Sequence, residues 1–147
     1  MRRLAKDFRE FIEMMNTRGV RYLVIGGYAV AYHAYPRMTG DMDFLLDCSG
    51  DNAERILAVL KDFGFGSLDI TADDLTTPGR VIQLGYPPNR IDLLTAVEGV
   101  TFADAWEDRV VDDLAGVRAN IIGLDALKAS KAAAGRHKDL ADLERLP

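Results

Sequence analysis

The chain has 147 residues, 48% of them hydrophobic and 28% charged, with a formal net charge of −5 at pH 7. This length suits one compact domain over residues 1–147, burying about two-thirds of the surface its unfolded chain exposes, and the composition excludes disorder. A protein that tracks a long nucleic-acid backbone carries a basic stripe; none is evident here, so a small substrate or a short contact with a larger one is favoured.

Met1-Arg2-Arg3 is basic, but Asp7, Arg9 and Glu10 follow before any apolar h-region, and no later apolar run is long enough to span a bilayer. Neither secretion nor membrane insertion is expected. Leu4, Phe8, Phe11, Ile12 and Met15 recur at helical spacing and predict an amphipathic helix, with Gly19 as its stop signal. Tyr22 to Ile25 predicts a strand, Gly26-Gly27 a break, and Tyr28 to Tyr35 a short helix ended by Pro36. Asp43 to Leu46 predicts a second strand. Cys48 is the sole cysteine, so no internal disulfide can form and a cytoplasmic protein is expected. Asn52 to Phe63 predicts a helix with Gly64 beyond its end, whereas Asp69 to Pro78 is polar and stays open between helix and loop. Arg80 to Tyr86 and Arg90 to Thr95 flank Pro87-Pro88-Asn89 as one hairpin; Arg109 to Leu114 and Val117 to Ile121 flank Ala115-Gly116 as another. Two terminal helices over about 124–146 are broken at Gly135. The sum is an α+β fold with a mixed sheet of about four to six strands.

Thr39-Gly40-Asp41-Met42-Asp43-Phe44-Leu45-Leu46 carries most of the chemistry. Strand side chains two apart share a face, so Asp41 and Asp43 project together while Met42, Phe44 and Leu46 turn to the core. Two adjacent carboxylates repel and raise each other's pKa unless a cation intervenes, and hard oxygen ligands suit Mg²⁺ or Mn²⁺. Asp92 lies within Arg90-Ile91-Asp92-Leu93-Leu94; if that strand neighbours the first, Asp92 completes a three-carboxylate cluster able to hold metal for displacement at phosphorus. Solvated acidic residues at strand ends would read the same way in isolation. Asp47 keeps the parity but lies toward Ser49-Gly50-Asp51, where a loop or helix-cap role fits.

Gly26-Gly27 follows a strand and precedes a helix, a setting in which backbone approaches a phosphate closely and free N–H groups face it; a tight turn is the alternative. In combination, the strand, the glycine pair, thirteen residues, Asp41-Met42-Asp43 and a later Asp92 resemble the polymerase-β-like nucleotidyltransferase superfamily. The closer resemblance is to small prokaryotic members, including abortive-infection-type toxins, in Arg37-Met38-Thr39-Gly40-Asp41-Met42-Asp43, in Arg90-Ile91-Asp92-Leu93-Leu94-Thr95, and in the tail from Leu127 to Leu143. The resemblance implies that fold, with helices flanking the sheet, and transfer of NMP from an NTP such as ATP with release of pyrophosphate. It assigns Gly26 and Gly27 to the nucleotide phosphates, Asp41 and Asp43 to Mg²⁺ (or Mn²⁺), and Asp92 to the metal and to orienting the attacking group. Many relatives carry Gly-Ser, whose hydroxyl is absent here; one such hydrogen bond is worth about 1 kcal/mol. A template-gripping domain is also absent, against template-directed synthesis. The acceptor stays open among tRNA, a protein hydroxyl and a small molecule, with an antitoxin as candidate partner and a homodimer as candidate assembly.

Among secondary candidates, Arg37 is placed against a phosphate, or else on Asp41 or Asp47 as a surface ion pair. Lys131, one turn from Lys128, reaches toward a triphosphate tail, or else lies on a solvated helix face. Lys138 and Asp139 stay open and Asp142 is read as structural. Tyr28, Tyr32 and Tyr35 form one helical stripe that reads as core before base stacking. His33 and His137 are isolated, Trp106 anchors a short helix, and Cys48 reads as a small buried residue. The competing functional reading is a catalytically inactive protein of the same fold that binds nucleotide or a partner.

Overall fold

The computed structural model describes residues 4–34, 40–66 and 68–147. Strand β1 (Tyr22–Ile25) is buried at all four positions, which marks it as a central strand with both faces covered. It pairs antiparallel with β2 (Met42–Leu46), Val24 opposite Phe44 and Ile25 opposite Asp43. On its other side it runs parallel to β6 (Val117–Ile121). Two hairpins complete the sheet: β3 (Val81–Leu84) with β4 (Ile91–Leu94), and β5 (Val110–Leu114) with β6. Because β2 and β4 are parallel, the six-stranded order is β3-β4-β2-β1-β6-β5, a mixed sheet.

Helix α1 (Lys6–Thr17) buries Phe8, Phe11, Ile12 and Met15, the expected apolar stripe. Phe11 stacks on Phe44 at 5.7 Å, and Tyr22 meets the same ring edge-on at 5.6 Å, so this helix covers the Tyr22–Phe44 face of the sheet. The Tyr22 hydroxyl donates to Asn16 Oδ1 at 2.7 Å and accepts from the Asn120 N–H at 3.3 Å. Burial pushes that phenol up to about 12. Helix α3 (Gly50–Asp62) begins at Ser49, whose side chain accepts from the Asn52 N–H. Buried Asn52 then accepts from the Arg21 N–H and donates to the carbonyls of Arg21 and Asp47, pinning α3 to the ends of β1 and β2.

Helix α2 (Gly26–His33) starts two residues earlier than the sequence predicts, because the glycine pair forms its first turn rather than a break before it. Tyr28 meets Phe8 edge-on and the Tyr32 hydroxyl donates to the Asp112 carboxylate, so both side chains are engaged within the fold; Tyr35 lies outside the described residues. The open stretch contains α4 (Ala72–Thr76), nucleated by a capping box between Thr71 and Asp74. Helix α5 (Phe102–Glu107) carries Trp106, stacked on Phe102 with the Arg109 guanidinium 3.8 Å from its centroid.

Helices α6 (Leu124–Ala134) and α7 (His137–Arg145) break at Gly135, which takes φ 65°. They are joined by charge. Lys131, 8% exposed, places Nζ 3.0 Å from Asp142 and 3.4 Å from Asp139, and Arg136 caps α7 through Asp139. No helix among the described residues is long and apolar enough to cross a membrane.

Candidate active site

The sheet gathers its acidic residues by register. Asp43 stands opposite Asp92 across the parallel β2–β4 pair and opposite Ile25 across the β1–β2 pair. The strand adjacency that the Asp92 assignment required is therefore present. Asp41 lies one residue ahead of β2, at the same end of the sheet as the β3–β4 turn. That turn packs beside Gly40, where an added Cβ would lie 3.7 Å from the Pro88 carbonyl oxygen, and it carries Tyr86, 87% exposed.

Gly26 is fixed by two independent requirements. Its φ is +68°, and a Cβ built on it would lie 2.3 Å from Asp43 Oδ2. Left-handed backbone disfavours any side chain, and the contact leaves no room for one. The N-terminus of α2 is thereby pressed against the carboxylate of β2. Gly27 shares that first turn.

Asp92 is 7% exposed and Asp43 is half-buried. Burial, then the Asp92 charge, a hydrogen bond with Asp92 and the Asp41 charge push the Asp43 carboxyl up to about 7. Lys138, exposed on the first turn of α7, pulls it the other way. Tyr28 also belongs to this neighbourhood, since burial and the Asp41 charge raise its phenol.

Arg90 is the residue that sequence reasoning missed. Its Nη2 donates to Asp41 Oδ2 at 2.7 Å, while Nε and Nη2 donate to Asp92 Oδ1 and Oδ2 at 2.9 and 3.1 Å. The signal was present: Arg90 and Asp92 sit two apart, and a planar guanidinium suits bidentate carboxylate pairing. These bonds raise its pKa further, so it is cationic at any working pH.

Three carboxylates without thiolate or imidazole form a hard donor set of the kind that takes Mg²⁺ or Mn²⁺. Among the described residues no three His, Cys, Asp or Glu side chains stand grouped to hold an ion as they are. Oxygens of Asp41 and Asp92 are held by the Arg90 guanidinium.

The remaining candidates fall elsewhere. Arg37 lies outside the described residues. Lys131 does not lie on a solvated face; its ammonium is engaged by Asp139 and Asp142, so any approach to phosphate competes with that buried ion cluster. His33 contacts the Ile122 carbonyl at 2.7 Å, and half-buried Cys48 donates to the Thr95 carbonyl. Asp47 accepts from Ser49 Oγ beside the α3 cap.

Comparison with solved structures supports the architecture. A lincosamide antibiotic adenylyltransferase, solved with lincomycin bound, superposes with a TM-score of 0.57 at 12% identity, covering 99% of this chain and 97% of that one. The chain thus has the fold of a nucleotidyltransferase. An aminoglycoside enzyme, ANT(2″)-Ia with adenylyl-2″-tobramycin, is also similar, with a TM-score of 0.45, 14% identity and coverage of 93% and 92%. No protein-family model matches the sequence, and no curated protein sequence matches it.

Proposed function

We propose that this protein is a divalent-metal-dependent nucleotidyltransferase that moves NMP from an NTP to an acceptor hydroxyl. The observation that carries the reading is Asp43 facing Asp92 in register, with the glycine-started helix pressed onto Asp43. A carboxyl pushed to about 7 by burial and then by the neighbouring Asp92 and Asp41 charges is a costly arrangement, and a site built to hold a cation accounts for it. Bound there by Asp41, Asp43 and Asp92, Mg²⁺ or Mn²⁺ would neutralise charge on the phosphates. The first turn of α2, Gly26 and Gly27, presents backbone N–H groups to the triphosphate. Asp92 accepts the proton of the attacking hydroxyl or orients it, the hydroxyl oxygen bonds to the α-phosphorus, and the bond to pyrophosphate breaks. Positioning and electrostatics supply most of the acceleration. Acceptors to be tested are a tRNA end, a protein hydroxyl, as in a toxin paired with an antitoxin, and a small molecule such as the antibiotic named for the solved adenylyltransferase.

One observation favours a second reading. Arg90 satisfies Asp41 and Asp92 with no help from a metal, as would suit a silent partner- or nucleotide-binding module. Incubation with Mg²⁺, each α-labelled triphosphate, and pools of tRNA, protein and hydroxylated small molecules separates the two. The transferase reading expects label transfer that disappears in Asp41→Asn and Asp43→Asn. Transfer that survives both substitutions sinks the site assignment, and triphosphate binding without transfer over the whole pool favours the silent module.

A further inference from the structure

We propose that Arg90 is a resident counter-ion that competes with the divalent cation for Asp41 and Asp92, so that loading the site requires its guanidinium to be displaced. The inference rests on the transferase reading and goes beyond it. Its basis is geometric: one guanidinium makes three hydrogen bonds, at 2.7, 2.9 and 3.1 Å, to oxygens of two carboxylates that the reading assigns to metal. An Arg clamp and a metal ion cannot fully use the same lone pairs, and a fixed positive charge beside a divalent cation repels it.

The placement explains how the apo site can persist. Asp92 is nearly buried, and Asp41 and Asp43 lie beside it, so without a cation three negative charges would be concentrated at one sheet end. Arg90 supplies one positive charge there from the strand that carries Asp92, which keeps the carboxylates aimed at one another. Its side chain is 27% exposed, so a path to solvent is open to the guanidinium when it leaves. Once displaced, it stands beside the site with its donors free for a triphosphate oxygen. Each arrival of a metal–nucleotide thus exchanges one set of charge-assisted bonds for another.

The test is Mn²⁺ binding to the full chain in the absence of nucleotide, counted by electron paramagnetic resonance, for wild type, Arg90→Gln and Arg90→Lys. Unit and double charges about 5 Å apart in water-like dielectric set the expectation that Arg90→Gln binds Mn²⁺ roughly tenfold more tightly. Arg90→Lys, which keeps the charge but loses the fork, should fall between them. In parallel, thermal melting without metal should drop in Arg90→Gln and recover on adding Mn²⁺, with a larger rise than wild type shows. Unchanged or weaker Mn²⁺ binding by a folded Arg90→Gln overturns the competition while leaving the transferase reading intact. If neither protein binds millimolar Mn²⁺, both fail. Should Arg90→Gln not fold, the Arg90→Lys result decides, since affinity equal to or below wild type then overturns the proposal.

Discussion

Replacing a residue of the candidate active site should stabilise this protein. Asp43 is held near pKa 7 by burial and by the Asp92 and Asp41 charges, far above an unfolded aspartate near 3.8. Between those values the folded state binds the extra proton, so stability is highest below about pH 4. It is lost as pH rises toward about 7 and is level above that. A shift of about three units corresponds to at most about 4 kcal/mol; because Asp43 keeps partial solvent contact, about 2 kcal/mol is a fair expectation after screening. Asp43→Asn is isosteric and uncharged, so it should remove this pH-dependent loss. Urea unfolding in EDTA should show variant and wild type closest near pH 4, and the variant about 2 kcal/mol more stable at pH 8. For a chain of this size that is a rise of about 4–8 °C in Tm. Adding Mg²⁺ should stabilise wild type alone. A variant no more stable than wild type at pH 8, or a gap that does not widen with pH, would refute the reasoning.

Other consequences follow from single contacts. Gly26→Ala combines a left-handed backbone with a Cβ 2.3 Å from Asp43 Oδ2, so it should cost about 1–3 kcal/mol in unfolding measurements and weaken Mn²⁺ binding. Lys131→Met leaves two buried carboxylates without their ammonium, for a loss of about 3–5 kcal/mol by chemical denaturation. Asp139 is held below the usual carboxylate range by Arg136 and then Lys131, so wild type should lose that stability as pH falls through the acid range, and Asp139→Asn should not. Thr95→Val removes a buried hydroxyl that accepts from the Arg80 N–H and donates to the Thr77 carbonyl, costing about 1–3 kcal/mol by the same assay.

Periodicity made most of the fold legible. The stripe of α1, the two hairpins and the Gly135 break are local patterns, and each stands where its residues predict. The polar stretch before Pro78 resisted because α4 rests on a cap rather than on apolar spacing; the Thr71-x-x-Asp74 signature was its one sign. Strand parity put Asp41 and Asp43 on one face, but only pairing could bring Asp92 opposite Asp43. The start of α2 was missed because glycine reads as a helix breaker, whereas Gly26 is required by the close approach to Asp43. Arg90 and Lys131 were hard to read for a common reason: the sequence displays their charges but not their partners. Arg90 answers Asp41 from a distant strand, and Lys131 answers two carboxylates across the Gly135 break.

Nucleotidyl transfer at the Asp41, Asp43 and Asp92 cluster can be read out with a paired label. Wild type and Asp43→Asn are incubated with Mg²⁺, the acceptor pools, and NTP labelled in turn at the α- and γ-phosphate. Only α-label should reach an acceptor, with pyrophosphate released in equal amount, and Asp43→Asn should transfer neither. Transfer of γ-label, or α-transfer undiminished in Asp43→Asn, would contradict it.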